Sequence, residues 1–433
     1  MATKTVLANS PDLTKMNNAE LLNLMRASAS LDYQNRIPEA TLANYGDIGK
    51  IILSYQPTMN EFSNMVNRIA RVYVLTTYYT NSLAPFKRGE LGAGESVEEA
   101  FVNIAKAHEY NPAEAESTVW KREMPDISVA FHHINWRVYY KRTVEEAEIE
   151  LAFLSDNGVA DLIGKIIDSL RTSSEIDEYL NMKQILINSA NNHEAYPIVV
   201  ASPAENNSTS IVKQIKEASN LLDVFPSNVY NPMGVPAQTK KNDQYLFVTA
   251  AFDAVMDVDT LASAFNMSKV EFMGHKFIID NFGPGHDNIV AMLVDREFFM
   301  VFDKLNRFGN IWNPEGLYTN YTWHVWRIFS KSPYANCIVF TETATSITNV
   351  TITPDSPSCA KGSMVKLTAE VTGTGEYQNG VTWEVSGTEK TSSWISSSGY
   401  LNVVKNEPNT TLTVTATSLQ DSTKTNSVTV TIE

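Results

Sequence analysis

The chain has 433 residues, 43 % of them hydrophobic, so it can bury a sizeable core and its length suggests about two or three domains. Its 34 basic and 49 acidic residues give a formal charge of −15, and the basic residues are scattered along the sequence. This balance argues against a protein that grips nucleic-acid phosphates. The N-terminal segment lacks the apolar core of a signal peptide, and no run approaches the roughly 20 apolar residues that span a bilayer, so we expect an intracellular protein without a membrane partner.

The stretch KRGELGAGESVEEAF opens a segment, Lys87 to Pro125, that contains few residues typical of a core strand. Ser96 and Glu99 fit a capping box, which predicts a short helix. The apolar side chains of that helix would form an i, i+4, i+7 stripe, made of Val97, Phe101 and Ile104. The segment can reach up to about 60 Å, against a domain radius of gyration of roughly 20 Å. We therefore expect it to extend beyond its own domain; the alternative is a mobile surface excursion.

The next elements mix helices and strands. Residues Ile127 to Lys141 alternate, which predicts one long strand, and apolar spacing from about Asn157 to Ser189 predicts one long helix or two in tandem. A helix is expected at DTLASAF and a hairpin at KVEFMGHKFIID. Further strands are expected at YPIVVA, QYLFVTA, NIVAMLVD, EFFMVFDKL, YTNYTWHVWRIFS and NCIVF. The late part of this region therefore reads as largely antiparallel sheet.

The composition changes near Thr341, after which Ser, Thr, Val and Gly dominate. Short alternating runs such as NVTITP, VTWEVSG, TLTVTATS and SVTVTI predict the strands of a small antiparallel sandwich, because β-branched residues at period two suit a sheet with one buried face. Trp383 is a candidate for the centre of its core. The two cysteines, Cys337 and Cys359, lie in segments assigned to different domains, and we expect both to be reduced thiols.

No motif of the sequence predicts catalysis or a cofactor. The histidines lack the His-Glu-x-x-His spacing of a zinc site, and neither cysteine lies in a nucleophile motif. The group Asp253, Asp257 and Asp259 lacks the glycine and terminal glutamate of a calcium loop, and Asp259 fits a helix cap better. The run NFGPGHD reads as a turn. We therefore expect no metal and no cofactor.

The order of the predicted elements resembles two known folds. The order VTITP, KGSMVKLTAEV, VTWEVSG, SGYLNV, TLTVTATS and SVTVTI resembles a group 2 bacterial immunoglobulin-like domain. The preceding series of an N-terminal arm, the hydrophilic extension, a strand, a long helix and a closing sheet resembles the Hong Kong 97-type capsid fold. Together they resemble the major capsid proteins of small podophages of the phi-29 kind. The implied α+β architecture is a shell domain over residues 1–344 followed by an all-β immunoglobulin-like sandwich over residues 345–433.

The resemblance implies a structural role in an icosahedral or prolate phage head enclosing double-stranded DNA. The segment from about 87 to 125 would be the extended loop lying over a neighbouring copy, the helix at about 157–189 the spine, and residues of about 196–295 the axial domain. Candidate intersubunit contacts are Lys87, Arg88, Glu90, Glu95, Val97, Phe101 and Ile104. The implied partners are other copies in hexamers and pentamers, a scaffolding protein, a portal or connector, and packaged DNA bound without sequence specificity. The protein would be made in the bacterial host cytoplasm and reside in the virion.

Two other classes of function stay open at this point. A surface adhesin would also use an immunoglobulin-like module, but it needs a secretion signal and usually an anchor, neither of which we find. An enzyme with a carbohydrate-binding appendage needs paired carboxylates in a pocket, which sequence spacing neither shows nor excludes.

Overall fold

The computed structural model describes residues 17–72, 79–92, 96–105, 125–154, 158–204, 208–255, 275–388 and 393–433. Its N-terminal part packs short helices into one hydrophobic core. Their bounds are α1 (Asn18–Ala27), α2 (Leu31–Arg36), α3 (Tyr45–Ser54) and α4 (Gln56–Val72). Helix α1 begins at a capping box in which the Asn17 side chain accepts from the Glu20 amide and the Glu20 carboxylate accepts from the Asn17 amide.

A short helix, α5 (Glu146–Ala152), leads to one long helix, α6 (Gly158–Asn191). The predicted long helix is therefore confirmed, as a single helix. Its first half contributes Ile163 and Leu170 to the N-terminal core, and its second half contributes Met182 and Leu186 to a second core under the sheets. No helix in the described part of the chain is long and apolar enough to cross a membrane.

A four-stranded sheet packs against the long helix. Its order is β1 (Lys87–Glu90), β9 (Phe299–Asn313), β10 (Tyr318–Lys331) and β4 (Trp136–Glu145), with β1 parallel to β9 and the other pairs antiparallel. Alternation along β10 buries Tyr321 and Val325 on the helix side. The candidate site described below is attached to this sheet and to helix α6.

A separate five-stranded sheet lies beyond the end of the long helix. Its order is β5 (Tyr196–Val199), β11 (Cys337–Thr341), β8 (Ile289–Asp295), β6 (Gln244–Thr249) and β7 (Lys276–Ile279). Helix α7 (Ser208–Val224) covers one face, and the opposite face joins the core of α6. Strands buried on both faces read as continuous apolar runs, which is why IVAMLV was recognisable from sequence.

Several segments with sequence predictions lie near this sheet. Asp253 lies in a short helix, α8 (Ala250–Val255), and pairs with Lys276. Asp257, Asp259, the helix predicted at DTLASAF and the first half of the predicted hairpin lie outside the described residues. The NFGPGHD run does form a turn, with positive φ at Gly283 and Gly285, as predicted.

The terminal module, residues 346–433, has a hydrophobic core of its own against which Trp383 packs. Its strands are β12 (Ser346–Thr353), β13 (Ser358–Cys359), β14 (Met364–Lys366), β15 (Thr368–Thr374), β16 (Val381–Ser386), β17 (Trp394–Ile395), β18 (Tyr400–Asn402), β19 (Thr411–Ser418) and β20 (Thr425–Ile432). The strands predicted here from alternation are confirmed. Cys337 in the sheet and Cys359 in the module are both free and buried, as expected of reduced thiols.

The long strand predicted from Ile127 to Lys141 is wrong in one respect: the chain forms two strands, β3 (Ile127–His132) and β4. The two strands have different partners, since β4 pairs with β10 whereas β3 does not join that sheet. Asn135 fixes the break, because its side chain donates to the Phe329 carbonyl at 2.7 Å and accepts from the Phe329 amide at 2.8 Å.

Candidate intersubunit surface

Strands β2 (Val97–Val102) and β3 pair antiparallel and form a two-stranded element, here called the ribbon. The helix predicted from Ser96 and Glu99 is therefore wrong. The residues of β2 alternate between half-buried and exposed, the period of a strand. Pairing with β3 gives hydrogen-bond partners to the backbone groups that face the other strand, and this long-range gain outweighs the local helix signal.

The inner face of the ribbon is fastened to its own subunit. The ring of Phe101 stacks on Tyr334, with ring centroids 5.6 Å apart. His132 is buried and makes two hydrogen bonds, from Nδ1 to Ser330 Oγ at 2.7 Å and from Nε2 to Glu99 Oε2 at 3.0 Å. Burial raises the pKa of the Tyr334 hydroxyl, so this ring stays neutral. The inner face is thus an intrachain contact.

The outer face of the ribbon is apolar and exposed. Cross-strand register places Val102 beside Ile127, Ala100 beside Val129 and Glu98 beside Phe131. The large side chains on this face have exposed fractions of 57 % for Val102, 52 % for Ile127, 44 % for Val129 and 58 % for Phe131. A contiguous apolar surface of this kind is a candidate interaction site.

Lys87, a predicted intersubunit residue, lies in a charged network inside the subunit. Its Nζ is 3.0 Å from Glu178 Oε2 on α6 and 2.6 Å from Asp303 Oδ2 on β9. Arg327 on β10 contacts the same two carboxylates, at 2.8 Å and 2.7 Å. Burial by itself raises the Asp303 pKa, but Lys87 and Arg327 outweigh it and hold that pKa below its usual value. The network ties β1 to the long helix.

The other predicted contact residues are placed differently. Arg88 donates from Nε to the Phe299 carbonyl at 3.2 Å, and Glu90 is exposed at the end of β1. Glu95 lies outside the described residues. Ile104, just beyond β2, is 67 % exposed and is free to meet another molecule. The contact of the seven predicted residues with a neighbouring copy stays a prediction.

A second exposed surface, here called the basic sheet face, lies on the side of the four-stranded sheet that points away from α6. It consists of Arg137, Tyr139, Lys141, Arg307, His324 and Trp326. Register places Tyr139 and Arg307 on either side of His324, and the Arg137 guanidinium lies 5.3 Å from the centroid of the Trp326 ring. Within the described ranges, none of the three Arg and Lys side chains forms an ion pair with a carboxylate.

Sequence reasoning missed the basic sheet face, although a signal was present. The alternation that puts Trp136, Val138 and Tyr140 on the core side also puts the intervening cations on the opposite side. Arg307 comes from a strand far along the chain, so its place beside them follows only from the β9–β10 register.

The fold of this chain is similar to that of a protein in a solved phage capsid. The capsid protein of Staphylococcus phage Andhra superposes with a TM-score of 0.53 at 14 % sequence identity, covering 62 % of this chain and 86 % of that chain. The likeness shows that this chain shares the fold of a phage capsid protein.

Sequence comparison narrows this class. Residues 22–341 match the family model described as Phi29-like phage major capsid protein. The major capsid protein of Bacillus phage B103 is 35 % identical over 405 residues, and that of Bacillus phage PZA is 32 % identical over 403 residues. Each match covers 92 % of this chain and 89 % of the relative. The chain belongs to the family of Phi29-like phage major capsid proteins, and its role is structural, in a phage head shell.

Proposed function

We propose that the outer face of the ribbon is an intersubunit contact of this shell protein and packs against a neighbouring copy. The observation that carries the proposal is the exposed apolar row from Val102 to Phe131, on a ribbon whose inner face is fixed to its own subunit. Ile104 extends the same contact beyond the strand. Phe101, in contrast, acts inside the subunit, where its stack on Tyr334 holds the ribbon, and Lys87 ties β1 to α6.

The surface that receives the ribbon is the basic sheet face of the neighbour. Arg, Tyr and Trp are the side chains enriched at the energetic centres of protein interfaces. The cations of this face have no carboxylate partner among the described residues, and Glu98 on the outer face of the ribbon offers one. Apolar contact would supply most of the affinity, and the charge pair would help to fix the register.

The remaining roles that we propose follow the family. The protein forms hexamers and pentamers with the help of a scaffolding protein and meets a portal or connector, after synthesis in the host cytoplasm. A charge of −15 suits a wall that encloses DNA without binding it, because each basic contact to phosphate adds salt-dependent affinity. The role is non-enzymatic. The terminal module is an immunoglobulin-like sandwich, an assignment supported by its strand order and by Trp383 against its core.

A cysteine pair tests the ribbon contact. Phe131→Cys and Tyr139→Cys in one chain place thiols on the ribbon and on the basic sheet face, while the native Cys337 and Cys359 are buried. In assembled shells, a short bismaleimide should link neighbouring copies into a ladder of covalent multimers on a denaturing gel.

The matched control combines Phe131→Cys with Glu370→Cys, which is exposed in the terminal module and should give no ladder. Shells that look normal by electron microscopy but yield no ladder from the first pair would contradict the proposed contact. An equal ladder from both pairs would also contradict it, because the link would then reflect random collisions.

A further inference from the structure

The terminal module is seated on the C-terminal end of the long helix. The Asn379 amide donates to the His193 carbonyl at 2.7 Å, and its side chain donates to the Asn192 carbonyl, also at 2.7 Å. The Tyr377 ring stacks on the His193 imidazole, with centroids 3.7 Å apart. These contacts occupy carbonyls that follow the last turn of the helix, where the chain needs partners from elsewhere.

A buried histidine completes this seat. His286 connects the terminal module to helix α6. Its Nδ1 lies 3.0 Å from Glu376 Oε1 in the module, and its Nε2 lies 2.6 Å from Asn191 Oδ1 at the end of the helix. His286 and Glu376 are 9 % and 7 % exposed. Since buried polar groups that lose a partner are costly, both partners strongly favour the docked arrangement. The seat therefore fixes the module relative to helix α6.

The module also contacts the ribbon, at the end that lies away from Ser330. Asp126 directly precedes β3, and its Oδ2 accepts from the Ser397 amide of the module at 3.0 Å. The same oxygen accepts from the side chain of Asn103, which directly follows β2, at 3.3 Å. One carboxylate thus joins both strands of the ribbon to the module.

We propose that the terminal module is a strut that holds the far end of the ribbon at a fixed position relative to the long helix. A two-stranded ribbon is marginally stable by itself. This one is held to its own subunit by His132 at one end and by the stack of Phe101 on Tyr334 nearer the other end. The strut adds support at that second end, beyond Phe101. It lies beyond residue 341, where the match to the family model ends. We infer that this support presents the ribbon to a neighbouring copy, and that part of the inference rests on the function proposed above.

Hydrogen exchange on the unassembled full-length subunit tests the strut. Glu376→Ala should weaken the seat at a distance from the ribbon. Combining Glu376→Ala, Tyr377→Ala and Asn379→Ala should weaken it further, because all three side-chain contacts are then lost. None of these side chains contacts a described ribbon residue. The amides of Val97–Val102 should exchange about tenfold faster in the triple variant, the effect of losing one or two hydrogen bonds of support.

The control is Glu370→Ala, the same change at an exposed position of the same module, which should leave ribbon exchange unaltered. Loss of protection at residue 379 reports release of the seat. If the seat is released and ribbon exchange is unchanged, the module is not a strut; if the triple variant stays seated, these contacts do not hold the module and the proposal also fails. Because the subunit is unassembled, either result is independent of the cysteine ladder in shells.

Discussion

Glu178 illustrates how much one ionised side chain depends on its partners. It is 1 % exposed and accepts from Lys87 at 3.0 Å, from Arg327 at 2.8 Å and from Asn81 at 2.8 Å. Removing a carboxylate from water is expensive, and only several donors in good geometry offset that cost. Lys87 therefore matters chiefly for the fold, since it brings β1, and the chain that leads to the ribbon, against α6.

The substitution Lys87→Met should lower the free energy of unfolding of the subunit by about 3 kcal/mol, because it leaves two buried carboxylates with one cation fewer. Urea denaturation of the unassembled subunit measures this loss. Lys50→Met is the matched control, since Lys50 is exposed in its pair with Asp47 and should contribute at most about 1 kcal/mol. Normal stability of Lys87→Met, combined with failed assembly, would instead return Lys87 to the intersubunit role predicted from sequence.

The ribbon is the element on which assembly should depend most directly. Phe131→Asp puts a charge on its outer face, and burial of an unpaired charge against a neighbour costs several kcal/mol at every copy. We expect shells to be absent by electron microscopy and sedimentation, while the circular dichroism of the subunit matches that of the unaltered protein.

Tyr400→Asp is the control for this substitution, since Tyr400 is an exposed aromatic residue of the terminal module and should permit assembly. Normal shells from Phe131→Asp would show that the outer face is not an essential contact. A subunit that no longer folds would mean that Phe131 supports the internal structure.

Periodicity predicted the elements that are long or regular. The long helix and the strands of both sheets repeat their apolar positions often enough for the pattern to be clear, and the strands of the terminal module alternate cleanly. Strand β2 is short, and its Val97 to Phe101 spacing fits a helix face as well as one side of a strand. Its partner lies beyond a long intervening segment, so only the folded pairing decides between the two.

The predicted contact residues were harder to place for the same reason. Lys87 meets carboxylates from α6 and β9, and Phe101 meets Tyr334, so each contact joins segments that are distant in sequence. The polar, core-poor composition of the segment predicts a projection, and that interpretation stays a prediction. Which of its side chains point outward depends on strand register, which the local sequence does not encode.

At the scale of the whole molecule, Cys337 reports on the core under the sheets and Cys359 on the core of the terminal module. Burial raises the pKa of the Cys337 thiol to about 12 and also raises that of Cys359, so neither should react quickly with a disulfide reagent in the native subunit. Because the terminal module has a separate core, we expect Cys359 to become reactive over a different urea range from Cys337.

Single-cysteine variants, Cys337→Ala and Cys359→Ala, assign each phase of labelling to one part of the chain. If both thiols become reactive together in one transition, the module and the shell part unfold as a single cooperative unit and the predicted boundary near residue 345 has no thermodynamic meaning.

The long helix belongs to two hydrophobic cores at once, with Leu170 in one and Met182 in the other. A bend of the helix between those residues would disrupt the packing of both cores. We therefore expect the helix to move as one rigid element. Curvature that a closed shell imposes on its subunits must therefore be absorbed beyond the ends of the helix. At one of these ends His193, with a φ of 56°, turns the chain away and meets the terminal module. Because the module is fixed to this end of the helix, the curvature of the shell must be absorbed elsewhere in the subunit.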